Sequence, residues 1–280
     1  MSSPTISAQQ RGFTLVELMI ALLLGLLITL VLTQVFSVSK QTGRVQYGLT
    51  RVQEDGRLAM NLVSNQIRKT GYRAPVWNEP LMGYYPLTGA SVDGASGAND
   101  TLQIMYADNI DCLGALNVNI DPETSEPGTL YKRVTFAVDN AENLVWTCEY
   151  GASPTALTAQ YSNQVIIDGV ESFQVLYGVD TDFPPDFSVN TWTTAATINP
   201  KNAVCLQSQY LCEAESLLNS MQQGVPVAIK VGMLVASPDN AAADNSGSAF
   251  TVLDVPVAAA SDQKLRKLFT TTVAFRNLTL

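Results

Sequence analysis

The stretch that decides the fold begins with Arg11-Gly12-Phe13-Thr14-Leu15-Val16-Glu17 and continues as an apolar run to Phe36. Residues 13–36 contain a single charged side chain, that of Glu17. At about 1.5 Å per residue, a helix over this run measures about 36 Å, which is enough to cross the hydrocarbon core of a bilayer. Because Arg11 precedes the run, the positive-inside rule keeps the N-terminus in the cytoplasm. The run therefore predicts one membrane-spanning helix.

The small residue that could mark a cleavage site, Gly12, precedes the apolar run instead of following it. An ordinary secretory signal has a shorter apolar stretch with the cleavage site after it. A plain signal anchor would explain the run by itself, but not Glu17, because a carboxylate inside an apolar segment costs a few kcal/mol on insertion. Cleavage after Gly12 would create a cationic amino group at Phe13, four residues from Glu17. That amino group could neutralise the carboxylate within one chain or between neighbouring subunits.

Residues 11–17 resemble the class III leader and N-methylation motif of type IV pilins and type II secretion pseudopilins. The resemblance implies that a prepilin peptidase cleaves between Gly12 and Phe13 and methylates the amine of Phe13. It also implies that Glu17 pairs with the amino terminus of an adjacent subunit during assembly. The implied segments are a leader (1–12), a transmembrane and assembly helix (13–36), its amphipathic continuation (37–71) and a periplasmic β-rich domain (72–280).

The helical pattern continues beyond the apolar run. Apolar or small residues recur at spacings of three and four, which predicts an amphipathic helix facing a core: Val45, Leu49, Val52, Gly56, Ala59, Val63 and Ile67. Gly71 is a good stop signal, so the predicted helix ends at Thr70.

The sequence pattern of the remaining chain is typical of a β domain. Runs rich in β-branched and aromatic residues, without helical periods between them, predict one antiparallel sheet. The predicted strands are 101–106, 130–138, 144–150, 164–167, 171–177, 225–237 and 268–276. The expected fold class is therefore α+β, with a long N-terminal pilin-type helix packed on an antiparallel sheet.

Four cysteines allow three disulfide pairings: Cys112, Cys148, Cys205 and Cys212. Their spacing does not match C-x-x-C zinc or redox motifs. Cys205 and Cys212 would close a short local loop, which makes Cys112–Cys148 the natural second pair, although free thiols in a cytosolic core would also fit the sequence. Export to an oxidising compartment favours disulfides.

The composition excludes several classes of function. The chain has no histidine, which rules out Ser-His-Asp and Cys-His catalysis and imidazole metal sites. A net charge of −9 disfavours nucleic-acid binding. We therefore expect no enzymatic activity, no cofactor and no nucleic-acid partner.

Three groups of charged residues offer weak candidate sites. Asp180, Asp182 and Asp186 have the alternating spacing of a calcium loop, but they lack the glycine and distal glutamate of an EF-hand, so a solvated acidic loop is favoured. Other aspartates were expected in solvent-facing loops: Asp93, Asp100, Asp108 and Asp111. A small basic cluster, Lys264, Arg266 and Lys267, is interpreted as a solvated strand end rather than a contact for an acidic partner.

The C-terminal pattern, residues 227–239 and 264–277, is similar to the closing strands of PilW-like minor pilins and, more distantly, of J-type pseudopilins. The length and residues 45–71 are similar too. The resemblance implies a minor pilin in a complex that primes pilus assembly near the fibre tip. Its partners would be other minor and major pilins and the inner-membrane assembly platform. It would wait in the bacterial inner membrane, with its C-terminal domain in the periplasm, before entering the fibre.

Three alternatives stay open at this point. The first is a J-like pseudopilin of type II secretion. The second is a tip adhesin that binds a ligand through the long excursion 181–223. The third is a membrane-anchored periplasmic binding protein.

Overall fold

A computed structural model describes residues 12–70, 92–94, 97–115, 130–153, 156–182, 186–197, 225–242 and 247–276. Within these ranges the chain forms one helix and ten strands. They are α1 (Leu15–Lys69), β1 (Leu102–Asp108), β2 (Leu130–Val138), β3 (Leu144–Ser153), β4 (Ala156–Ile167), β5 (Val170–Asp180), β6 (Thr191–Thr193), β7 (Val225–Ala236), β8 (Phe250–Val252), β9 (Val255–Val257) and β10 (Arg266–Ala274).

The chain divides into two compact units, Met1–Tyr47 and Gly48–Leu280. In the first unit the described residues consist of the start of α1 and the segment before it. By length and composition, α1 is apolar enough over an 18-residue window to cross a membrane. None of that window is buried within the protein.

In the second unit, the remainder of α1 supplies one side of the core. Its buried residues recur at the spacing of one helix face: Gly48, Val52, Gly56, Ala59, Met60, Val63, Ser64 and Ile67. Most of the predicted stripe is confirmed, but Leu49 is 43% exposed. It lies one residue after Gly48, on the side of the helix that faces away from the core.

The strands form two four-stranded antiparallel sheets and a two-stranded ribbon, not the one sheet expected. The orders are β1-β2-β3-β4, β10-β7-β5-β6 and β8-β9. The chain changes sheets between β4 and β5, at Gly169, which has a φ of 72°. A Cβ atom at this position would lie 2.5 Å from the carbonyl oxygen of Ala236. The missing side chain therefore lets the backbone turn away from β4 and pair with β7.

The core of the second unit lies between α1 and the inner faces of the sheets. In β2, buried and half-buried residues alternate, as the sequence predicts for a strand with two different faces. The aromatic side chains of Phe136, Phe173 and Tyr177 are fully buried and share one apolar cluster with Val52 and Ile67 of α1. Burial of each such side chain stabilises the fold by about 1.5–3 kcal/mol. The α+β class is thus confirmed.

Candidate functional site

The predicted processing and assembly residues meet at the start of α1. Gly12, Phe13 and Thr14 precede the helix, which begins at Leu15. The hydroxyl oxygen of Thr14 accepts a hydrogen bond from the backbone N–H of Glu17, at 3.3 Å. This is the bond of an N-cap residue, and it places Glu17 in the first turn. A carboxylate is favoured there because the first N–H groups of a helix carry a partial positive charge.

After Glu17, small or hydroxyl-bearing residues occupy every fourth position along α1. They are Ala21, Gly25, Thr29, Thr33 and Ser37. Each of the three hydroxyl groups donates to a carbonyl of the preceding turn: Thr29 to Leu26 at 2.8 Å, Thr33 to Thr29 at 2.7 Å and Ser37 to Thr33 at 2.9 Å. These hydroxyls are therefore satisfied inside the helix and need no water. We call this row, which begins at Glu17, the small-residue row.

The small-residue row was not among the predicted features, although its four-residue spacing can be read directly from residues 17–37. In apolar surroundings, small residues at this spacing let a second helix approach closely. At 3.6 residues per turn, each step of four residues advances the row by about 40° around the axis. The row therefore crosses α1 obliquely, and only neighbouring members of it, such as Glu17, Ala21 and Gly25, lie close to one side.

A disulfide joins Cys112 and Cys148, which are 36 positions apart in the chain. It connects the segment that follows β1 to the middle of β3. Cys148 is 2% exposed and belongs to the apolar core. This is the pair that the sequence analysis favoured. The other pair, Cys205 and Cys212, lies outside the described residues and stays a prediction.

The three aspartates of the calcium hypothesis do come together, with ligand oxygens within 4.8 Å of one another. Asp180 is buried, and its two carboxylate oxygens accept backbone N–H groups from Asp182 at 2.9 Å and Phe187 at 2.6 Å. The hydroxyl and N–H groups of Ser188 hold the pKa of Asp186 below its usual value. These bonds order the described residues on either side of the loop between β5 and β6, 181–182 and 186–188. The calcium hypothesis stays a weak prediction.

Asp100 corrects the expectation that it faces solvent. It is only 5% exposed, and its oxygens accept N–H groups from Gly94 at 2.8 Å and Val175 at 2.7 Å. Burial raises the pKa of its carboxyl group, although the two backbone bonds oppose that shift. Sequence reasoning missed this role because the donors lie 6 and 75 residues away in the chain.

Among the other aspartates, Asp93 is half-buried, and Asp108 forms an ion pair with the buried Lys132, at 3.6 Å. Burial lowers the pKa of Lys132, and the charge of Asp108 opposes that shift. Asp111 accepts hydrogen bonds that shape its own loop, and the side chain of Gln160 is the main cause of its lowered pKa. Asp108 therefore supplies the charge that partners the buried ammonium group of Lys132.

In the basic cluster at the start of the last strand, the side chain of the middle residue, Arg266, is buried. The Arg266 guanidinium bonds to Glu171 at 2.7 and 2.8 Å and to Asp262 at 2.6 and 2.7 Å, and its side chain is 6% exposed. Hydrogen bonding to Arg266 lowers the pKa of Asp262 to about 2. The expectation of a solvated strand end is wrong for Arg266, because two carboxylates of its own domain already hold it. Lys264 lies 3.9 Å from Glu142.

Comparisons with known proteins match both parts of the chain. Residues 135–277, just over half of the chain, match the family described as type IV pilus-assembly protein W. Residues 7–33 match the prokaryotic N-terminal methylation motif, which includes Gly12, Phe13 and Glu17. Among solved structures, a type IV-like pilin from Thermus thermophilus is similar at 15% identity and a TM-score of 0.43, over 82% of this chain and 100% of that one. No curated protein matches the chain.

Proposed function

Because the chain belongs to the PilW family of type IV pilus-assembly proteins, we propose that it is a minor pilin needed to start or support pilus assembly. The observation that supports this most is the methylation motif at residues 7–33, joined to a helix that is long and apolar enough to cross a membrane. Pilins are structural proteins, and we propose a role in assembly and not in catalysis.

The proposed maturation begins in the inner membrane. A prepilin peptidase removes residues 1–12 and methylates the amine of Phe13. The mature chain then holds residues 13–36 in the bilayer and continues through 37–71 into the periplasmic domain, 72–280. Arg11 supports this orientation, because a basic residue before the apolar run favours a cytoplasmic N-terminus.

Assembly then transfers the apolar helix from lipid into a bundle of other pilin helices. Apolar surface is covered in both places, so the two states are close in free energy. Glu17 sets the register, because an unpaired carboxylate in an apolar bundle is penalised strongly and its pairing with the methylated terminus of a neighbour removes that penalty. The members of the small-residue row nearest to Glu17, Ala21 and Gly25, support close approach of a neighbouring helix beside that carboxylate.

We propose that the second unit selects the pilins with which the chain assembles. The Cys112–Cys148 bond stabilises a domain whose surfaces can recognise other minor and major pilins. We propose that its destination is the priming complex and, after extraction from the membrane, the pilus fibre.

The test is complementation of a deletion strain with the native chain, Glu17→Ala and Glu54→Ala. Glu54 is an exposed carboxylate on the same helix, outside the apolar run, so its replacement is a matched control. We expect Glu17→Ala to reach normal levels in the membrane but to fall at least tenfold in sheared pili, with pilus number and twitching reduced. Glu54→Ala should behave like the native chain.

Unchanged incorporation of Glu17→Ala would contradict the pairing role. A deletion that abolishes secretion of folded proteins but leaves pili intact would identify a pseudopilin instead. Normal pilus number with lost adhesion would identify a tip adhesin.

A further inference from the structure

The outermost strand of the second sheet, β10, is a regular edge. All nine of its residues pair with β7 in one continuous antiparallel register, from Arg266 opposite Ala236 to Ala274 opposite Ala228. The sheet order places β10 at the end, with β7 on one side. Among the residues that the structure describes, no strand pairs with its other side.

The direction of each backbone group in β10 follows from two hydrogen bonds that flank the strand. The N–H of Ser237 donates to the carbonyl of Leu265, and the N–H of Phe275 donates to the carbonyl of Val227. Hydrogen-bonded pairs alternate in an antiparallel ladder, so the odd-numbered residues of β10 bond to β7. The even-numbered residues therefore direct their N–H and C=O groups to the outer edge: Arg266, Leu268, Thr270, Thr272 and Ala274.

The same alternation can be checked on β5, the third strand of this sheet. Its odd-numbered residues should point away from β7, and they do. Phe173 donates its N–H to the side chain of Asn99 at 2.7 Å and accepts from the N–H of Asp100 at 2.8 Å. Val175 donates to the carboxylate of Asp100. The short segment 98–100 thus closes the edge of β5 that β6 leaves open.

One of the two outer strands of the other sheet, β4, is protected by irregularity. β4 pairs with β3 through several register shifts, and Asn163 within it has a φ of 50°. Bulges of this kind twist an edge and prevent a second strand from pairing along it. Bulges therefore interrupt the edge of β4, and segment 98–100 covers the open edge of β5. The outer edge of β10, in contrast, is continuous and contains no proline or bulge.

The chemistry of β10 suits an added strand. Residues 268–274 are uncharged and include three threonines and a valine, which favour extended structure. Thr270, Thr272 and Ala274 are exposed. Basic residues stand at the two ends, Lys267 at the start and Arg276 just beyond the last residue.

These basic ends also indicate which occupant fits. A second copy of the chain, paired antiparallel along the whole strand, would place its Lys264 opposite Arg276 and its Arg276 opposite Lys264. Like charges in opposed positions are destabilising. A segment with acidic residues at both ends would instead be attracted along its full length.

We propose that the outer edge of β10 binds an extended segment of another protein by β-strand addition. The segment has uncharged, β-branched residues in its centre and acidic residues at its ends. Its main chain bonds to the outward N–H and C=O groups of Leu268, Thr270, Thr272 and Ala274, and its acidic ends face Lys267 and Arg276. This surface does not depend on the proposed role in pilus assembly.

The experiment uses the full chain in detergent micelles and a fluorescein-labelled ten-residue peptide, which matches the ten positions from Lys267 to Arg276. The peptide has a glutamate at each end and eight alternating threonine and valine residues between them. The comparison peptide has a lysine at each end. We expect saturable binding by fluorescence anisotropy, at least tenfold tighter for the glutamate peptide. Hydrogen exchange followed by mass spectrometry should show new protection in residues 266–274 when this peptide is bound.

Two variants test the edge itself. Thr270→Pro removes an outward N–H and keeps the bonds to β7, so it should weaken binding at least tenfold, whereas Thr270→Ala should bind like the native chain. The double variant Lys267→Glu with Arg276→Glu should reverse the preference, so that the lysine peptide binds more tightly. Thermal unfolding followed by tryptophan fluorescence checks that each variant is folded. If Thr270→Pro does not fold, the charge-reversal variant tests whether the peptide binds at β10.

The proposal is overturned by any of three results. The first is the absence of saturable binding at millimolar peptide. The second is protection confined to residues outside β10. The third is a peptide preference that the charge reversal leaves unchanged.

Discussion

Loss of the Cys112–Cys148 disulfide should cost the second unit a large part of its stability. The bond closes a loop with 36 residues of separation. In the chain-entropy model, a loop of this length reduces the entropy of the unfolded chain by about 13 cal/mol/K, which corresponds to about 3.8 kcal/mol at 25 °C. For a unit of this size, each kcal/mol shifts the melting temperature by about 2–4 °C, so the expected fall is about 8–15 °C.

The assay is thermal unfolding of the full chain in detergent, followed by tryptophan fluorescence. Trp146 is a suitable reporter because its ring stacks between Phe136 and Tyr161, two residues from Cys148. The native chain should be compared with the double variant Cys112→Ala with Cys148→Ala. A second double variant, Cys205→Ala with Cys212→Ala, controls for the other pair of cysteines.

The result that would refute this reasoning is a melting temperature for Cys112→Ala with Cys148→Ala within 2 °C of the native value. Under reducing conditions, the native chain and this variant should instead melt within a few degrees of each other. A large gap between them in reductant would show that the lost side chains, and not loop closure, account for the effect.

Three further predictions concern stability measured in the same way. Gly56→Ala should lower the free energy of unfolding by about 1–2 kcal/mol, because a Cβ atom there would lie 2.2 Å from the ring of Phe269. In a chain that already carries Phe269→Ala, the same substitution should have no such cost. If the effects of the two substitutions simply add, the contact is contradicted. The pKa of Asp262 is lowered to about 2, so its carboxylate stabilises the fold above pH 4 and loses that effect as the pH falls from about 4 to 2. The difference in melting temperature between the native chain and Asp262→Asn should therefore close in this window. A difference that stays constant with pH would argue against this role. Asp100→Ala should cost at least about 2 kcal/mol by leaving two buried N–H groups without acceptors, and an unchanged denaturation midpoint would disprove that role.

The features that follow a local pattern could be predicted from the sequence. The helix was expected over residues 13–70 and is observed over Leu15–Lys69, because its apolar run, amphipathic stripe and terminal glycine are all local signals. β2 was predicted at 130–138, where alternation is clear, and it occupies Leu130–Val138. The N-terminal methylation motif, matched at residues 7–33, is likewise local. The roles of Gly12, Phe13 and Glu17 stay a prediction.

Features that depend on tertiary pairing were missed or shortened. Only residues 164–167 of β4 were predicted, whereas the strand spans Ala156–Ile167. Most of it is exposed and interrupted by bulges, so no two-residue alternation marks it. β6, β8 and β9 are three residues each and give too short a pattern to detect.

The same limit applies to individual side chains. Asp100 looked like a loop residue, yet it closes the edge of a strand more than 70 residues away in the chain. Arg266 looked like part of a basic surface cluster, yet Glu171 lies 95 residues away and holds it. No local signal reports such partners, because they are chosen by the fold of the whole domain.

The most direct test of the account is mass spectrometry of the protein recovered from sheared, purified pili. The account predicts that its first residue is Phe13, that the amine of Phe13 is methylated, and that the protein is present at far lower abundance than the shaft subunit. A peptide from assembled fibres in which Gly12 is still joined to Phe13 would contradict it, because Glu17 would then lack the cationic terminus that we propose it needs.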